Sequence, residues 1–181
     1  LDALSGIAVC GLGHAHPTVT TAISEQASQL IHTSNLYTIP NQEQLAERLT
    51  QISGMDNVFF GNSGAEANEA ATNIARKYGH SKGIETPTTI VFEGSFHGRT
   101  MATLSATGNR SAQAGFEPLV SGFVRAPYDD VDAVKNIIAN NSNVVAILVE
   151  PIQGEGGIVI PADDYLNQLR DICDANDLLL M

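Results

Sequence analysis

Residues 144–149 read VVAILV, an uninterrupted apolar run that predicts a β-strand buried on both faces. A β-branched and apolar run at residues 88–92 predicts another strand earlier in the chain. Amphipathic helical patterns at residues 130–139 and 162–176 lie on either side of the first run. Strands separated by helices of this length predict βαβ units, so the fold class is expected to be α/β with a parallel sheet.

The pattern outside these segments predicts four further helices and two further strands. Pro17 suits a first helical turn, and Gly54 and Gly79 are expected to end helices. The helices are predicted at residues 17–30, 41–53, 64–78 and, as a short one, 98–107, and the strands at 57–60 and 178–181. On the helix at 64–78, the apolar stripe is predicted to consist of Ala67, Ala70, Ala71, Ile74 and Tyr78.

Composition limits the classes of function. The chain has 181 residues and a formal net charge of −11, from 9 Lys and Arg against 20 Asp and Glu. Such acidity disfavours nucleic acid and anionic membrane surfaces as partners. No apolar run approaches the roughly 20 residues that a membrane-spanning helix needs, and no secretory signal is visible. Cys10 and Cys173 match no disulfide or zinc pattern, which favours free thiols in the cytoplasm.

Both ends of the sequence fall inside predicted elements. Leu1 opens within a segment, and the last residues begin an apolar strand whose neighbours would follow it. We therefore expect the chain to be a fragment of a longer protein.

The first candidate motif is GNSGAEAN at residues 61–68, between a predicted strand and a predicted helix. Free N–H groups and the helix dipole at such a turn bind phosphate, and small residues let an anion approach the backbone. Ser63 and Glu66 also fit a capping box, so an ordinary capped helix remains an alternative.

The second motif is EGSFHGRT at residues 93–100, just past a predicted strand. Ligands of open α/β sheets bind beyond the carboxyl ends of strands. Phe96 offers a stacking face, His97 a polar contact and Arg99 a carboxylate clamp. The alternatives are a core phenylalanine, a loop histidine and a surface ion pair.

The third motif is VEPIQGEGG at residues 149–157. Glu150 ends the most apolar strand and needs a partner, because an unpaired buried charge is costly. Glu155 lies in the glycine-rich loop and is a candidate partner for Arg99 or for a substrate. A simple turn with a solvated Glu155 is the alternative.

Other chemistries match less well. Residues 11–16 begin like G-x-G-x-x-G but carry His16 at the third glycine, and no nucleotide P-loop occurs. His14, His16 and His97 lack the further ligands of a metal site, so no metal is expected. No serine lies in a nucleophile elbow.

Together, residues 62–70, 96–100 and 150–157 resemble the class III (ω-amino) aminotransferases, which use pyridoxal phosphate. Residues 1–17 are similar to the family's N-terminal segment. Residues 32–49 and 108–120 are most similar to the acetylornithine branch. The resemblance implies the three-layer α/β/α, mostly parallel sheet of the large domain of fold-type I enzymes, incomplete in this chain. It also implies an N-terminal segment at 1–40, with 41–181 belonging to that domain.

The resemblance assigns roles residue by residue. Ser63, Gly64 and Ala65 match the cup for the cofactor phosphate. Phe96 matches the aromatic that stacks on the pyridine ring, and His97 lies beside it. Glu150 matches a position near the cofactor. The positions that match the substrate pocket are Arg99 for the α-carboxylate, Glu155 as a gate for the second carboxylate of 2-oxoglutarate, and Tyr37 and Ile7 nearby.

No catalytic residue is assigned within the chain. The family's cofactor-binding lysine lies downstream, and Lys77, Lys82 and Lys135 match no motif. The implied activity of the parent is transfer of the terminal amino group of N-acetylornithine to 2-oxoglutarate, in arginine biosynthesis, by a homodimer. Alternatives are succinylornithine, succinyldiaminopimelate, ornithine or 4-aminobutyrate as donor, or a non-catalytic binding or assembly module.

Overall fold

The computed structural model describes residues 1–181. The chain consists of two units, Leu1–Val58 and Phe59–Met181. The first unit contains the turn α1 (Ser5–Ala8) and the helices α2 (Pro17–Gln29) and α3 (Pro40–Ser53). The residues of α1 have φ between 51° and 62°, so this single turn is left-handed. No residue of this unit is buried within the chain.

The predicted helices of the first unit are confirmed. Pro17 and Pro40 each stand at the start of a helix, where the missing N–H costs nothing. Gly54 ends α3 in the left-handed conformation, at φ 71°. The strand predicted at residues 57–60 is wrong, since no other segment pairs with it and Phe59 is exposed.

A four-stranded parallel sheet is the centre of the second unit. The elements are α4 (Gly64–Ser81), β1 (Thr88–Phe92), α5 (Met101–Ala106), α6 (Arg110–Gln113), β2 (Phe123–Ala126), α7 (Val131–Asn140), β3 (Val144–Ile147), α8 (Tyr165–Asn176) and β4 (Leu179–Leu180). All strand pairs are parallel, in the order β2-β1-β3-β4. The predicted α/β class and parallel sheet are confirmed, whereas β2 and α6 were not predicted.

Helices cover both faces of this sheet. On one face, α7 and α8 pack Val134, Leu169 and Ile172 against residues that include Ile90 and Ile147. On the other, Ala75 of α4 packs with Val145, and Ala106 of α5 packs with Val91 and Leu148. The predicted three-layer α/β/α arrangement is thus present, and it brings the carboxyl ends of β1 and β3 to one edge.

Helix α4 differs from its prediction in length and in its buried face. It continues through Gly79 to Ser81, and Gly79 is a packing position within the helix and not its end. A Cβ there would lie 2.6 Å from Pro87 Cγ and 2.9 Å from Val145 Cγ1. The buried residues are Thr72, Ala75 and Gly79. Of the predicted stripe, Tyr78 packs half-buried against the cluster of Ala75, whereas Ile74 is exposed.

Several element limits are also corrected. The helix predicted at 98–107 is shorter, since residues 98–100 belong to the loop before α5 and Thr100 is its N-cap. The helix predicted from residue 162 begins at Tyr165. No helix combines the length and the apolarity that crossing a bilayer requires.

Candidate active site

The amino end of α4 presents backbone donors. Ser63 is the N-cap, and its Oγ accepts a hydrogen bond from the N–H of Glu66 at 3.2 Å. The N–H groups of Gly64 and Ala65 donate to no acceptor in the chain. Two free amides at the positive end of an 18-residue helix have the geometry and the polarity that favour an anion.

Glu66 makes only part of the predicted capping box. Its carboxylate accepts hydrogen bonds from the backbone N–H of Asn62 at 2.7 Å and from the Asn62 side-chain amide at 3.0 Å. The acceptor therefore serves the residue before the N-cap and not the N-cap itself. The Glu66 carboxylate is thus hydrogen-bonded to Asn62.

The loop after β1 lies against this helix end. Gly98 has φ 134°, and a Cβ added to it would lie 2.9 Å from Ala65 Cβ and 2.6 Å from Thr103 Oγ1. Only a residue without a side chain allows the loop to approach α4 and α5 this closely. The structure thus brings residues 96–99 beside the free amides at Gly64 and Ala65.

Glu150, after β3, holds the same loop from the other side. Its Oε2 accepts a hydrogen bond from the backbone N–H of Phe96 at 2.9 Å. The predicted need of this carboxylate for a partner is met by backbone donors and not by a cation, since Gly154 N–H also lies 3.5 Å from Oε1. Phe96 is half-buried, which leaves part of its ring available to a flat ligand.

His97 is almost fully buried, with 4% of its surface exposed. Its backbone N–H donates to Thr107 Oγ1 at 3.1 Å, and its backbone carbonyl accepts from the side-chain amide of Asn68 at 2.9 Å. Burial, together with the positive charge of Arg125, lowers the pKa of His97 to about 4, so the ring is neutral at pH 7. Its Nε2 is buried without a hydrogen-bond partner in the chain.

Arg99 and Glu155 are both exposed. The guanidinium of Arg99 lies 5.8 Å from the centroid of the Phe96 ring and forms no ion pair in the chain. Glu155 makes no hydrogen bond or ion pair, and the structure does not join it to Arg99. Both side chains are thus open to a charged ligand.

The glycine-rich loop that carries Glu155 is tied to the end of β1. Gln153, which is buried, donates from Nε2 to the carbonyl of Glu93 at 2.7 Å, and it pairs with Val159 across the loop. Tyr128 OH donates to the carbonyl of Glu150 at 2.9 Å. The residues between Gln153 and Val159 therefore form a shaped hairpin and not a loose connector.

Tyr37 and Ile7 belong to the first unit. Tyr37 has an exposed side chain, and its N–H donates to the carbonyl of Ser34 at 3.3 Å. Ile7 is exposed within the left-handed turn α1. Their assignment to a substrate pocket stays a prediction.

Four further residues build this site, and none of them is predicted from the sequence. Asn68 and Glu69 of α4 hold the loop after β1, Thr107 holds His97, and Gln153 holds Glu93. Each lies within or next to a motif already noted. For Asn68 the available signal was a polar residue whose neighbours on the helix face are Gly64, Ala65, Ala71 and Thr72.

Comparison with known proteins gives this site a family. The family model described as aminotransferase class-III matches residues 1–181. The chain belongs to the class-III aminotransferases. It is 65% identical over 181 residues to the acetylornithine aminotransferase of Nitrosomonas europaea, an alignment that covers 100% of this chain and 46% of that protein.

Solved structures agree with the family and the fold. An ornithine aminotransferase from Toxoplasma gondii matches with a TM-score of 0.92 and 33% identity, over 98% of this chain and 42% of that one. An N-acetylornithine aminotransferase from Stenotrophomonas maltophilia matches with a TM-score of 0.81 and 37% identity, over 98% and 43%. The chain thus spans about half the length of the relatives it matches.

Pyridoxal phosphate is the cofactor of this family, and the residues present fit it. The free amides of Gly64 and Ala65 suit its phosphate, and the half-buried ring of Phe96 suits its pyridine face. Buried polar atoms are normally hydrogen-bonded, so the unpartnered Nε2 of His97 is an atom that a bound polar group would be expected to contact.

Proposed function

We propose that this chain supplies the cofactor-binding and carboxylate-binding part of an aminotransferase that transfers the terminal amino group of N-acetylornithine to 2-oxoglutarate. The observation that carries the proposal is the contact of Gly98 with Ala65, which joins the free amides of α4 to the loop of Phe96 and Arg99. The identity to acetylornithine aminotransferase of Nitrosomonas europaea supports the choice of donor. Residues 41–181 would then belong to the large domain.

In this function the cofactor is held by three kinds of contact. Ser63, Gly64 and Ala65 bind the phosphate through backbone N–H groups, which need no change of protonation. Phe96 contacts the ring, and Glu150 fixes Phe96 through its N–H. His97 lies beside the ring as a neutral imidazole. When bound, pyridoxal phosphate supplies the electron sink that the proton removal of transamination requires.

The substrates are bound through their carboxylates. Arg99 holds the α-carboxylate of the donor, because a guanidinium makes two parallel hydrogen bonds that fix the carboxylate plane. Glu155 acts as the gate: it binds a cationic partner while the donor reacts and releases it for the second carboxylate of 2-oxoglutarate. Tyr37 lies at the substrate pocket. The exposure of Arg99 and Glu155 and their lack of ion pairs support these roles.

Arg99→Lys tests this function in the complete polypeptide that carries the chain. Lysine keeps the charge but loses the paired hydrogen bonds, so we expect roughly a ten- to hundred-fold loss of kcat/KM for N-acetylornithine, from about 1.5–3 kcal/mol of charge-assisted bonding. The matched amine, N-acetyl-1,4-diaminobutane, lacks the α-carboxylate and should be nearly unaffected. Steady-state kinetics on both donors, with cofactor content checked by absorbance, provide the measurement.

An equal loss on both donors, or no loss on either, would show that Arg99 is structural and that the carboxylate is bound elsewhere. The variant Arg76→Lys is the matched control. Arg76 lies on α4 and donates to the carbonyl of Ser121, away from the loop of Phe96. It should leave the ratio of the two efficiencies unchanged.

We also propose that the complete polypeptide is a homodimer, located in the cytoplasm. None of the first 58 residues is buried within the chain, and large apolar side chains such as Leu4, Leu12 and Leu36 are exposed there. Apolar surface of this extent normally lies against protein, here the rest of the complete polypeptide or a second copy of it. Sedimentation velocity at micromolar concentration should give the mass of a dimer or of a pair of dimers, and a stable monomer would contradict the proposal.

A further inference from the structure

Two adjacent residues of α4 hold the backbone on both sides of Arg99. The side-chain amide of Asn68 donates to the carbonyl of His97 at 2.9 Å. The carboxylate of Glu69 accepts from the hydroxyl of Thr100 and from the backbone N–H of Ala102 at 3.2 Å. Arg99 therefore lies in a short span whose two ends are fastened to the same helix.

Glu69 also anchors the start of α5. Its Oε1 is the acceptor for Thr100 Oγ1 and Ala102 N–H, and it lies 3.4 Å from the N–H of Thr103. These amides belong to the first turn of α5, where N–H groups have no partner within the helix. An anionic acceptor at this end is also favoured by the helix dipole. One carboxylate thus fixes the residue that follows Arg99 and the helix after it.

Arg99 has no such anchor of its own. Its guanidinium forms no ion pair and lies 5.8 Å from the centroid of the Phe96 ring. A long, exposed side chain without a partner samples many rotamers, and its reach is set by where its backbone is held. The position of the guanidinium is therefore governed by the bonds at His97 and Thr100.

We propose that Glu69 is a positioning residue for Arg99. It does not touch the substrate; it fixes Thr100 and α5, and through them it sets the direction from which Arg99 reaches a carboxylate. Ser63 lies on the same helix, six residues or about 9 Å away along the axis. The residues proposed to bind the phosphate and the carboxylate are therefore both positioned by α4. This inference rests on the proposed role of Arg99 as the carboxylate-binding residue.

The test uses the complete polypeptide with its cofactor and the same two donors. Glu69→Ala removes the acceptor, and we expect about a ten-fold loss of kcat/KM for N-acetylornithine, mainly through KM, because a misplaced guanidinium binds the carboxylate poorly. For N-acetyl-1,4-diaminobutane the change should stay within about two-fold. Glu69→Gln keeps an acceptor oxygen and should restore most of the efficiency. Glu85→Ala, at an exposed glutamate without bonds, is the control.

The outcomes separate this inference from the function on which it rests. If Arg99→Lys discriminates between the donors but Glu69→Ala lowers both equally or neither, the positioning role is wrong and the proposed function stands. If Arg99→Lys itself does not discriminate, the function is wrong and the inference falls with it. A Glu69→Gln variant as impaired as Glu69→Ala would also overturn it.

Thr100→Val provides a second route if Glu69→Ala does not fold. Valine keeps the shape of threonine and removes the hydroxyl, which donates to Glu69 and also lies 2.7 Å from Thr103 Oγ1 in the cap of α5. A loss of about three-fold, confined to the donor with the α-carboxylate, supports the positioning role. A loss shared by both donors, or none, contradicts it.

Discussion

Transaminase turnover should be absent from the 181-residue chain assayed by itself. Transamination on pyridoxal phosphate needs a lysine that both binds the cofactor covalently and moves the proton. The chain has three lysines, and none lies at the candidate site. Lys77 is about 20 Å along α4 from its amino end, and Lys82, just past the helix, is about 27 Å away. Lys135 is on α7, which packs on the opposite face of the sheet from α4.

The partners of these lysines argue further against a catalytic role. Lys82 forms an ion pair with Asp177 at 2.9 Å and donates to the hydroxyl of Tyr78 at 3.4 Å, and both contacts raise its pKa. Lys135 lies 3.7 Å from Asp132, on the same helix. A lysine nucleophile is activated by a lowered pKa, so the raised pKa of Lys82 does not suit the reaction. Lys135 is held instead beside a carboxylate of its own helix.

Glutamate formation from N-acetylornithine and 2-oxoglutarate, with added cofactor, measures this expectation. The complete polypeptide is the positive control. Borohydride reduction followed by peptide mapping provides a second readout, in which we expect weak labelling spread over exposed lysines. Turnover together with labelling of a single lysine would show that the chain carries its own catalytic residue.

The parallel sheet could be predicted because its central strands are apolar on both faces. The pattern at residues 88–92 matches β1 in full, and residues 144–149 include β3. β2 was missed because it is an edge strand that contains Arg125 and is mostly half-buried. Arg125 nonetheless stabilises the fold, because it donates to the carbonyls of Ser105 and Thr107 at the end of α5.

The predicted buried face of α4 is wrong because hydrophobicity alone does not determine which side of this helix meets the sheet. The largest apolar residue of its middle turns, Ile74, is exposed, whereas small residues form the close contact with the sheet. Gly79 shows why: its contact with Pro87 and Val145 leaves no room for a side chain. The orientation of α4 depends on how closely the helix approaches the sheet, and that distance cannot be deduced from one sequence.

The candidate site was predictable in its motifs and not in its bonds. Residues 61–68, 93–100 and 149–157 each follow or precede a strand or helix end, and that placement alone indicated a ligand site. The bonds that assemble them join residues far apart in the chain, such as Asn68 to His97 and Glu150 to Phe96. Such pairings depend on the tertiary fold. The sequence therefore predicts that Glu150 needs a partner but does not identify which residue provides it.

Gly98→Ala should weaken cofactor binding by roughly a hundred-fold in the complete polypeptide. Gly98 has φ 134°, which alanine adopts only under strain, and the new Cβ would lie 2.6 Å from Thr103 Oγ1 and 2.9 Å from Ala65 Cβ. Both neighbours are packed and neither is the flexible end of a long side chain. The loop of Phe96 must therefore move away from the amides of α4. Strain and overpacking together cost about 3 kcal/mol, or roughly a hundred-fold in affinity.

Titration of the apoprotein with pyridoxal phosphate, followed by absorbance, measures the dissociation constant. Gly154→Ala is the matched control, since φ there is ordinary and no atom lies within 4 Å of the added Cβ. It should bind as the unmodified protein does. The urea midpoint of each variant shows whether the protein still folds. If Gly98→Ala raises the dissociation constant and the protein remains folded, the contact with Ala65 sets the geometry of the cofactor site. Unchanged affinity would mean that α4 and the loop bind the cofactor independently, and the joined site proposed for them would be wrong.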